Sequence, residues 1–466
     1  MSLYYRFKNM RNKKSKVQAK TIQDERIKKL NERGIMKGDY VLYWMQQSAR
    51  VEYNHALEYA IYSANNLAQP LVVVFGLMDD YPEANFRHYK FMLEGLKETK
   101  ESLKGRGINM IVRRGNPADV AVDLGSRASL IVCDRGYLRH QKEWRKKVAE
   151  RADCRVVEVE SDVVVPIELV SKRAEFAART IRPKITRQLS KFLVELHTVP
   201  LHNHSLGLNL DGLDMNDIDQ LLGRMRIDRT VKPVSHLFTG GASEAKRVFA
   251  EFIGEKLGQY KENRNQPQTD DVSFMSMYLQ FGQVSPLYLA LQIRNAKDKP
   301  QEDRETFLEE LIVRRELAIN FVNYTEDYDS FDCLPIWAKK TLGDHKNDIR
   351  EREYTQEQLE NVETHDHYWN AAMNEMKHTG YMHNYMRMYW GKKILEWCST
   401  PEYAFKTALA INNKYFIDGR NPNSFANIGW LFGLHDRPWF ERPVFGKVRY
   451  MSASGLERKC DIKAYV

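Results

Sequence analysis

The chain has 466 residues, a formal net charge of +9 at pH 7 and a pI near 9.0. This length exceeds what one typical core holds, so we expect two domains and a connecting region, and the basic balance favours a polyanionic partner, nucleic acid ahead of an anionic membrane surface. No apolar run approaches the roughly 18 residues of a membrane span and the N-terminus carries no apolar signal segment, so we expect a soluble intracellular protein, cytoplasmic or, in a eukaryote, nuclear.

The cysteines and histidines do not form a ligand pattern. The five cysteines are scattered and include no CxxC pair, which argues against structural zinc, an iron–sulfur cluster or a disulfide framework. Paired histidines at 202 and 204 and at 365 and 367 lack carboxylates or thiolates at ligand spacing. We therefore predict that the protein has no metal site.

Residues 1–37 are rich in lysine and arginine and include a weakly amphipathic stretch at 22–30. This composition predicts a basic N-terminal arm that is solvated or partly helical, and contact with DNA or another anion is the alternative. From Tyr40 onward, short β-branched runs alternate with helical patterns. The predicted strands are VLYWM (41–45), PLVVVFGL (70–77), INMIVRR (108–114), LIVCD (130–134) and RVVEVE (155–160).

Strands that alternate with helices of this length predict an α/β Rossmann-like domain with a mostly parallel sheet, which we assign to 38–165. The turn after the first strand, WMQQSAR, has no glycine, so the G-x-G-x-x-G fingerprint of dinucleotide binding is missing. Residues 166–240 mix polar loops with short helices and predict an interdomain connection on the surface.

Residues 241–466 have the texture of an all-α domain. Six of the eight tryptophans lie after residue 330, which predicts an aromatic interior. The amphipathic runs that predict helices are Ala245 to Tyr260, Ser285 to Ala296, Asp303 to Tyr324, Tyr354 to Asn361, Trp369 to Trp397 and Pro401 to Asn412.

The stretch GYMHNYMRMYWGKKILEW at 380–397 concentrates chemistry. On a helix, Trp390 and Trp397 project from one face about 10 Å apart, an interval that suits electron hopping. Asn384 and Arg387 face a neighbouring side, where they can bind a planar anionic group. The alternative is that this aromatic stripe only packs in the core.

Several blocks resemble class II cyclobutane pyrimidine dimer (CPD) photolyases. The resemblance implies light-driven DNA repair by a monomer in which an α/β antenna domain precedes an all-helical FAD domain. It also implies that the substrate is UV-damaged DNA that carries a CPD. The blocks are THDHYW (364–369), TGYMHNYMRMYWGKKILEW (379–397), YFIDGRNPN (415–423), HDRPWFERPVFGKVRYM (435–451), EELIVRREL (309–317), YLQFGQVS (278–285) and ARTIRPKI (178–185).

The resemblance implies the residues that bind FAD. Arg387 and Asp418 match the pair beside the isoalloxazine, where an arginine favours the anionic reduced flavin. Class II sequences usually carry glycine at Asn384, whereas the wider superfamily has asparagine there. The full set of cofactor residues is Tyr260, Ser273, Met275, Ser276, Asn384, Arg387, Asn412 and Asp418.

The resemblance also implies a lesion pocket and an electron path. The dimer leaves the duplex to meet the flavin, Glu310 hydrogen-bonds a pyrimidine carbonyl, and Trp430 supplies a flat face. No histidine is among the pocket residues, which favours a CPD over a (6-4) photoproduct. The pocket residues are Arg264, Asn265, Glu310, Met388 and Trp430, and the electron-transfer residues are Trp369, Trp390 and Trp397.

Some positions depart from the family pattern. Ile319 and Asn421 each stand where an aspartate is usual, and the turn WMQQSAR bears on the antenna, for which we expect a second chromophore of the deazaflavin type in the α/β domain. Two other functions stay open. One is a cryptochrome-like flavin photoreceptor without repair activity, and the other is a light-independent flavoprotein or nucleic-acid-binding module.

Overall fold

The computed structural model describes residues 22–466, and its first part is a six-stranded sheet. The strand order is β1-β6-β5-β2-β3-β4, with β2 to β6 parallel and β1 antiparallel to β6. All five predicted strands and the α/β class are thereby confirmed. The strands are β1 (Ile27–Lys29), β2 (Tyr40–Trp44), β3 (Leu71–Leu77), β4 (Asn109–Arg114), β5 (Ala128–Asp134) and β6 (Arg155–Val159).

Helices cover both faces of this sheet, and every residue of β2, β3 and β5 is buried. Alternate residues of β2 enter different cores: Tyr43 packs with the first two helices, and Trp44 packs with the next two. Burial on both faces explains why these strands read as continuous apolar runs. The four helices are α1 (His55–Asn66), α2 (Phe86–Gly105), α3 (Pro117–Gly125) and α4 (Arg139–Arg151).

The stretch 22–30, predicted as part of a solvated or partly helical arm, is instead attached to the sheet. A short 3-10 turn, Asp24–Arg26, leads into β1, whose Ile27 pairs with Val159. The buried guanidinium of Arg26 donates to the carbonyls of Glu160, Val163 and Val164. The helical prediction was wrong here because strand pairing and these carbonyls satisfy the segment better than a solvated helix would. Residues 1–21 of the predicted arm lie outside the described residues.

The predicted connection packs against both parts of the molecule. Its helix α6 buries Ile181 and Ile185 in the helical core, whereas Met215 is buried beside the sheet. The limits 38–165, 166–240 and 241–466 remain predictions of domain extent. The helices of the connection are α5 (Ile167–Val170), α6 (Ala178–Phe192) and α7 (Ile218–Gly223).

The remainder of the chain is helical, as predicted. Two π-helical turns, Phe252–Lys256 and Glu309–Arg314, interrupt the α-helical runs, and 3-10 turns occur at Leu257–Gln259 and Phe331–Cys333. The α-helices are α8 (Ala242–Glu251), α9 (Tyr260–Asn263), α10 (Met275–Gln280), α11 (Pro286–Asn295), α12 (Gln301–Leu308), α13 (Arg315–Tyr324), α14 (Ile336–Asp344), α15 (Gln356–Glu360), α16 (His367–Thr379), α17 (Asn384–Trp397), α18 (Pro401–Tyr415), α19 (Pro422–Leu431), α20 (Ala453–Lys459) and α21 (Ile462–Tyr465).

The run predicted as one helix from Trp369 to Trp397 is two helices. Gly380 ends α16 at a φ of +73°, and a Cβ there would lie 2.6 Å from Cγ1 of Ile417. His383 then caps α17, because its Nδ1 accepts a hydrogen bond from the backbone N–H of Tyr385. The left-handed glycine therefore sets the start of the second helix.

Buried polar contacts join the sheet domain to the helical domain. The carboxylate of Glu316 in α13 accepts from the backbone N–H groups of Val164, at 2.6 Å, and Val165, at 3.2 Å. On α2, Nη1 of Arg87 donates to the carbonyls of Tyr415, at 2.6 Å, and Met376, at 3.2 Å. These contacts hold the edge of the sheet domain against the helices that enclose the main cavity.

Candidate functional site

The main cavity has a volume of about 610 Å³, within the size range of cofactor and ligand sites. The helical domain supplies most of its wall: the turn before α10, the π-helical turn at 309–314, the start of α17 and the segment from Asp418 into α19. The sheet domain supplies the opposite wall, with Gln46, Met78 and Tyr81.

Arg387 and Asp418 form an ion pair in this wall. Nη1 of Arg387 lies 3.0 and 3.2 Å from the two carboxylate oxygens of Asp418, and Nε donates to the carbonyl of Met382 at 2.9 Å. The guanidinium also stacks 3.8 Å from the centre of the Phe416 ring. A cation held on three sides in a mostly buried position is preorganised to face a planar anion.

A short turn places small polar groups along one end of the cavity. Phe274 has a φ of +54°, a left-handed conformation that lets Ser273 and Ser276 line the same wall around Met275. Tyr260 faces them from α9 and packs against Phe307, with ring centres 5.4 Å apart. Burial raises the pKa of Tyr260 to about 12, so its hydroxyl stays protonated.

Glu310 and Arg264 form a second polar face. Nη1 of Arg264 lies 2.9 Å from Oε1 of Glu310, and both half-buried side chains line the cavity. Trp430 lines it from α19. Its ring centre lies 5.1 Å from Nζ of Lys392 and 5.3 Å from Cζ of Arg449, so cations flank the indole. The cavity wall thus includes a carboxylate and a flat aromatic surface.

The three tryptophans of the predicted electron path are buried behind the wall and contact one another. The indole Nε1 of Trp369 donates to the carbonyl of Trp390 at 3.0 Å, and its ring centre lies 5.7 Å from that of Trp397. The Trp390 ring lies 6.4 Å from Phe416, the ring that carries the Arg387 guanidinium. Trp369 therefore links the other two tryptophans, through ring contact with Trp397 and through the backbone carbonyl of Trp390.

The structure places most of the predicted binding residues in one wall. Two do not line the cavity: Asn265 is exposed, and Asn412 is buried with its Nδ2 donating to Oδ1 of Asn413 at 3.0 Å. Those that line it are Tyr260, Arg264, Ser273, Met275, Ser276, Glu310, Asn384, Arg387, Met388, Asp418 and Trp430.

Sequence reasoning missed several residues of the site. Arg420 and His435 line the cavity with φ angles of +63° and +57°, and His88 reaches it from the sheet domain. The first two lie in sequence blocks that carried the resemblance, so their position in those blocks was the available signal. His88 and the rest of the opposite wall depend on domain docking, for which the sequence has no local signal.

Three departures from the family pattern have defined surroundings in the structure. Asn421 caps α19, because its Oδ1 accepts from the backbone N–H of Ser424 at 2.8 Å, a bond that an aspartate also forms. Ile319 lines the cavity. In the turn WMQQSAR, the backbone N–H groups of Gln46, Gln47 and Ser48 all donate to the carboxylate of Asp134.

Two kinds of feature are absent from residues 22–466. No group of three or more His, Cys, Asp or Glu side chains in that range is arranged to hold a metal ion. Among the helices of the same range, none combines the length and apolarity that are needed to cross a membrane. The five cysteines are free, and all except the half-buried Cys333 are buried.

Comparison with known proteins agrees with the geometry. The DNA photolyase family profile matches residues 41–202. A deoxyribodipyrimidine photo-lyase of Methanothermobacter thermautotrophicus is 49% identical over 449 residues, 96% of this chain and 98% of that protein. One from Oryza sativa is 37% identical over 95% of this chain and 89% of its own length.

A solved structure shares the fold. The class III photolyase of Agrobacterium tumefaciens superposes with a TM-score of 0.70 at 17% identity, covering 87% of this chain and 82% of its own. The sequence relatives carry the assignment further, because their identity extends over nearly the whole chain. The chain belongs to the DNA photolyase family, among the deoxyribodipyrimidine photo-lyases.

Proposed function

We propose that the protein is a class II enzyme that uses light and reduced FAD to split cyclobutane pyrimidine dimers in DNA. One observation carries the proposal. A single cavity brings the Arg387 and Asp418 pair together with the Glu310 carboxylate and the Trp430 ring. The first pair suits a flavin, and the second suits a flipped pyrimidine pair.

The chemistry of the cavity wall fits FAD. Arg387 supplies a fixed positive charge for an anionic ring system, and Tyr260, Ser273 and Ser276 supply hydroxyls for phosphate oxygens. When bound in its reduced form, FAD supplies the electron that light transfers to the dimer. Arg387 holds negative charge in place at the wall, and Asp418 keeps the guanidinium from turning away.

The part of the cavity wall that contains Glu310 and Trp430 binds the lesion in this proposal. Two pyrimidines reach it only after leaving the base stack, at a cost of a few kcal/mol that is smallest for damaged bases. Glu310 then hydrogen-bonds the pyrimidine edge, Arg264 holds the carboxylate in place, and Trp430 and Met388 pack against the rings. Asn265 contacts the DNA from its exposed position outside the cavity.

The buried tryptophans return the enzyme to its active state. In this proposal electrons pass inward from Trp397 to Trp369, whose ring centres lie 5.7 Å apart, and then to Trp390, whose backbone carbonyl accepts from the Trp369 indole. The ring centre of Tyr354 lies 5.5 Å from that of Trp397. Tyr354 is half-buried, so the Trp397 end of this path approaches solvent. Indoles suit this path because they are large apolar rings that stay packed in the core.

A second chromophore of the deazaflavin type binds on the sheet domain in this proposal. The cavity extends to the carboxyl ends of β2 and β3, where Gln46, Gly76 and Met78 line it with Tyr81. Ligands of open α/β sheets bind outside the carboxyl ends of parallel strands. Absorption of the purified protein beyond that of FAD tests this site, and extraction that yields FAD alone contradicts it.

A photoreceptor without repair activity would use the flavin wall and the tryptophans equally well. It would have no use for a carboxylate and an indole that line the same cavity. The arrangement of Glu310 and Trp430 therefore favours repair.

The experiment is repair of a defined thymine-dimer oligonucleotide by chemically reduced protein, in light and in darkness. We expect restored thymines in light only. Product in darkness, or no product in light from protein that retains FAD, contradicts the proposal. Glu310→Gln keeps the size of the side chain and removes its charge, so it serves as the matched variant.

A further inference from the structure

Glu310 is carried by an unusual backbone segment. The π-helical turn Glu309–Arg314 lies between α12 and α13, so one long helix has a wide turn in its middle. Such turns are rare and are frequently found at functional sites. Adjacent residues of a helix point about 100° apart, so the position of the wide turn decides which of the two neighbouring carboxylates, Glu309 or Glu310, faces the cavity.

The two carboxylates are held in different directions. Arg182 of α6 binds both oxygens of Glu309: its Nε lies 3.0 Å from Oε2 and its Nη2 lies 2.6 Å from Oε1. Nε of Arg314 approaches the same carboxylate at 3.5 Å. Glu310 is held instead by Arg264 on the cavity side. A two-point arginine contact fixes the orientation of a carboxylate as well as its distance.

The contact joins two anchored elements. Helix α6 buries Ile181, Ile185 and Leu189 in the helical core, and the π-helical turn buries Leu311 and Ile312 in the same core. The half-buried Arg182 side chain is not part of the cavity wall. Its position therefore suits it to act on the site through Glu309.

We propose that Arg182 is a positioning residue for repair: by binding both oxygens of Glu309 it fixes the π-helical turn in the register that presents Glu310 to the lesion. The inference rests on the proposed role of Glu310. Lysine cannot replace Arg182 fully, because an ammonium group is a point donor without the planar fork of a guanidinium.

A direct phosphate contact by Arg182 is the competing explanation, because its side chain is 37% exposed. The two explanations differ in what they predict for Glu309. A phosphate contact predicts that Arg182→Ala weakens binding to undamaged duplex and reduces its salt dependence, and that Glu309→Gln leaves repair intact. Positioning predicts that both substitutions impair repair of bound lesions and leave binding to undamaged duplex unchanged.

The test measures single-turnover repair of a saturating thymine-dimer oligonucleotide by FAD-loaded, chemically reduced protein. We expect Arg182→Ala and Glu309→Gln each to lower the repair rate about tenfold, the scale of one lost charged hydrogen bond. The double variant should be no slower than the single ones, and Arg182→Lys should recover only part of the rate. Arg187→Ala, an exposed arginine on the same helix, is the control and should repair normally.

Each result bears on the inference. Losses that add in the double variant, or a normal Glu309→Gln variant, overturn it. Thermal unfolding and FAD content verify that the variants fold. If Arg182→Ala does not fold, the repair rates of Arg182→Lys and Glu309→Gln are compared with the parent instead. Normal repair by Glu310→Gln contradicts the proposed role of Glu310. If Glu310→Gln repairs poorly while the Arg182 and Glu309 variants repair normally, only the positioning by Arg182 is contradicted.

Discussion

At the scale of single residues, Arg387 shows how a buried charge is kept available for a ligand. Its ion pair with Asp418, the bond to the Met382 carbonyl and the Phe416 ring leave the guanidinium little freedom. Buried ion pairs add little net stability, but removing one partner strands the other at a cost of about 3 kcal/mol. The pair is therefore better explained by binding than by folding.

Arg387→Ala should weaken FAD binding and disfavour the anionic reduced flavin, because Asp418 then faces the cofactor unpaired. The absorption spectrum of the reduced protein and the FAD retained after gel filtration measure these effects. Arg387→Ala combined with Asp418→Asn is the matched control, since it leaves no stranded carboxylate and should retain more FAD than the single variant. An unchanged spectrum and unchanged retention in Arg387→Ala would sink the assignment.

Lys392 is a fully buried lysine, and its pKa leads to a prediction about how stability depends on pH. Its ammonium donates to the carbonyl of Leu431 beneath the Trp430 ring. Burial is the main reason that the pKa of Lys392 is lowered to about 7; Asp436 opposes this shift, and Arg449 adds a smaller lowering contribution. In an unfolded chain a lysine has a pKa of about 10.4. Between about pH 7 and pH 10, the unfolded chain therefore binds a proton that the folded chain does not, and stability rises with pH.

Lys392→Met should remove this rise. A pKa difference of one corresponds to about 1.4 kcal/mol of unfolding free energy. The stability of the variant minus that of the parent should therefore be several kcal/mol larger at pH 6 than at pH 10. Urea unfolding at the two pH values measures the difference. Lys393→Met, beside it on α17 but paired with Glu396 at 2.6 Å, is the control. Parallel pH profiles for Lys392→Met and the parent would contradict the buried-cation account.

Residues that the family resemblance implied were predictable, and residues whose role depends on packing were not. Arg387, Asp418, Glu310 and Trp430 were all expected at the site from that resemblance, and they line the cavity. Lys392 has no local signal, because its burial follows from the packing of α17 against the end of α19.

At the scale of secondary-structure elements, the break at Gly380 places the flavin wall. The amphipathic pattern runs without interruption through this glycine, so periodicity alone predicts one helix. The left-handed turn and the His383 cap instead start α17 three residues before Arg387. The guanidinium therefore emerges from the first turn of a helix, where Met382 can accept from its Nε.

Trp390→Phe should slow photoreduction of the oxidised flavin strongly and leave repair by chemically reduced enzyme near the parent level. The reason is that α16 and α17 hold the tryptophan row behind the wall, apart from the lesion end of the cavity. Flash-induced absorption changes measure the first effect, and an oligonucleotide assay measures the second. Trp337→Phe, elsewhere in the helical domain, is the control. Equal photoreduction by Trp390→Phe and the parent would remove the row from the mechanism.

At the scale of the whole molecule, the site depends on two domains that the sequence describes separately. The strands of a mostly parallel sheet and the helical composition were readable from periodicity, but the docking surface was not, because it consists of contacts between residues far apart in the chain. Arg87 reaches Tyr415, and Glu316 reaches Val164. These contacts bring His88 and Tyr81 to a cavity that the helical residues alone would leave open on one side.

Docking of the two domains also bears on which lesion fits the cavity. No histidine was predicted at the pocket, yet His88 and His435 both line the cavity. Burial, the largest influence on each, lowers the pKa of His435 to about 4 and the pKa of His88 well below its ordinary value. Both rings are therefore neutral near pH 7, and neither is poised to give a proton to a substrate. In the proposed function, preference for a CPD then depends on the neutral state of both rings, since a CPD requires only an electron, a hydrogen bond and an apolar face.

We expect preferential repair of a CPD over a (6-4) photoproduct in the same strand, and losses of about tenfold or more in repair yield for Glu310→Ala and Trp430→Ala. Binding to undamaged duplex should change little in either variant, because that binding comes from phosphate contacts and weakens as salt rises. Product analysis on the two lesions and titration of undamaged duplex at two salt concentrations measure these effects. Preferential repair of the (6-4) lesion would contradict the expected lesion preference. Equal losses of repair and of duplex binding would contradict separate roles for the pocket, which selects the lesion, and for the phosphate contacts, which hold the DNA.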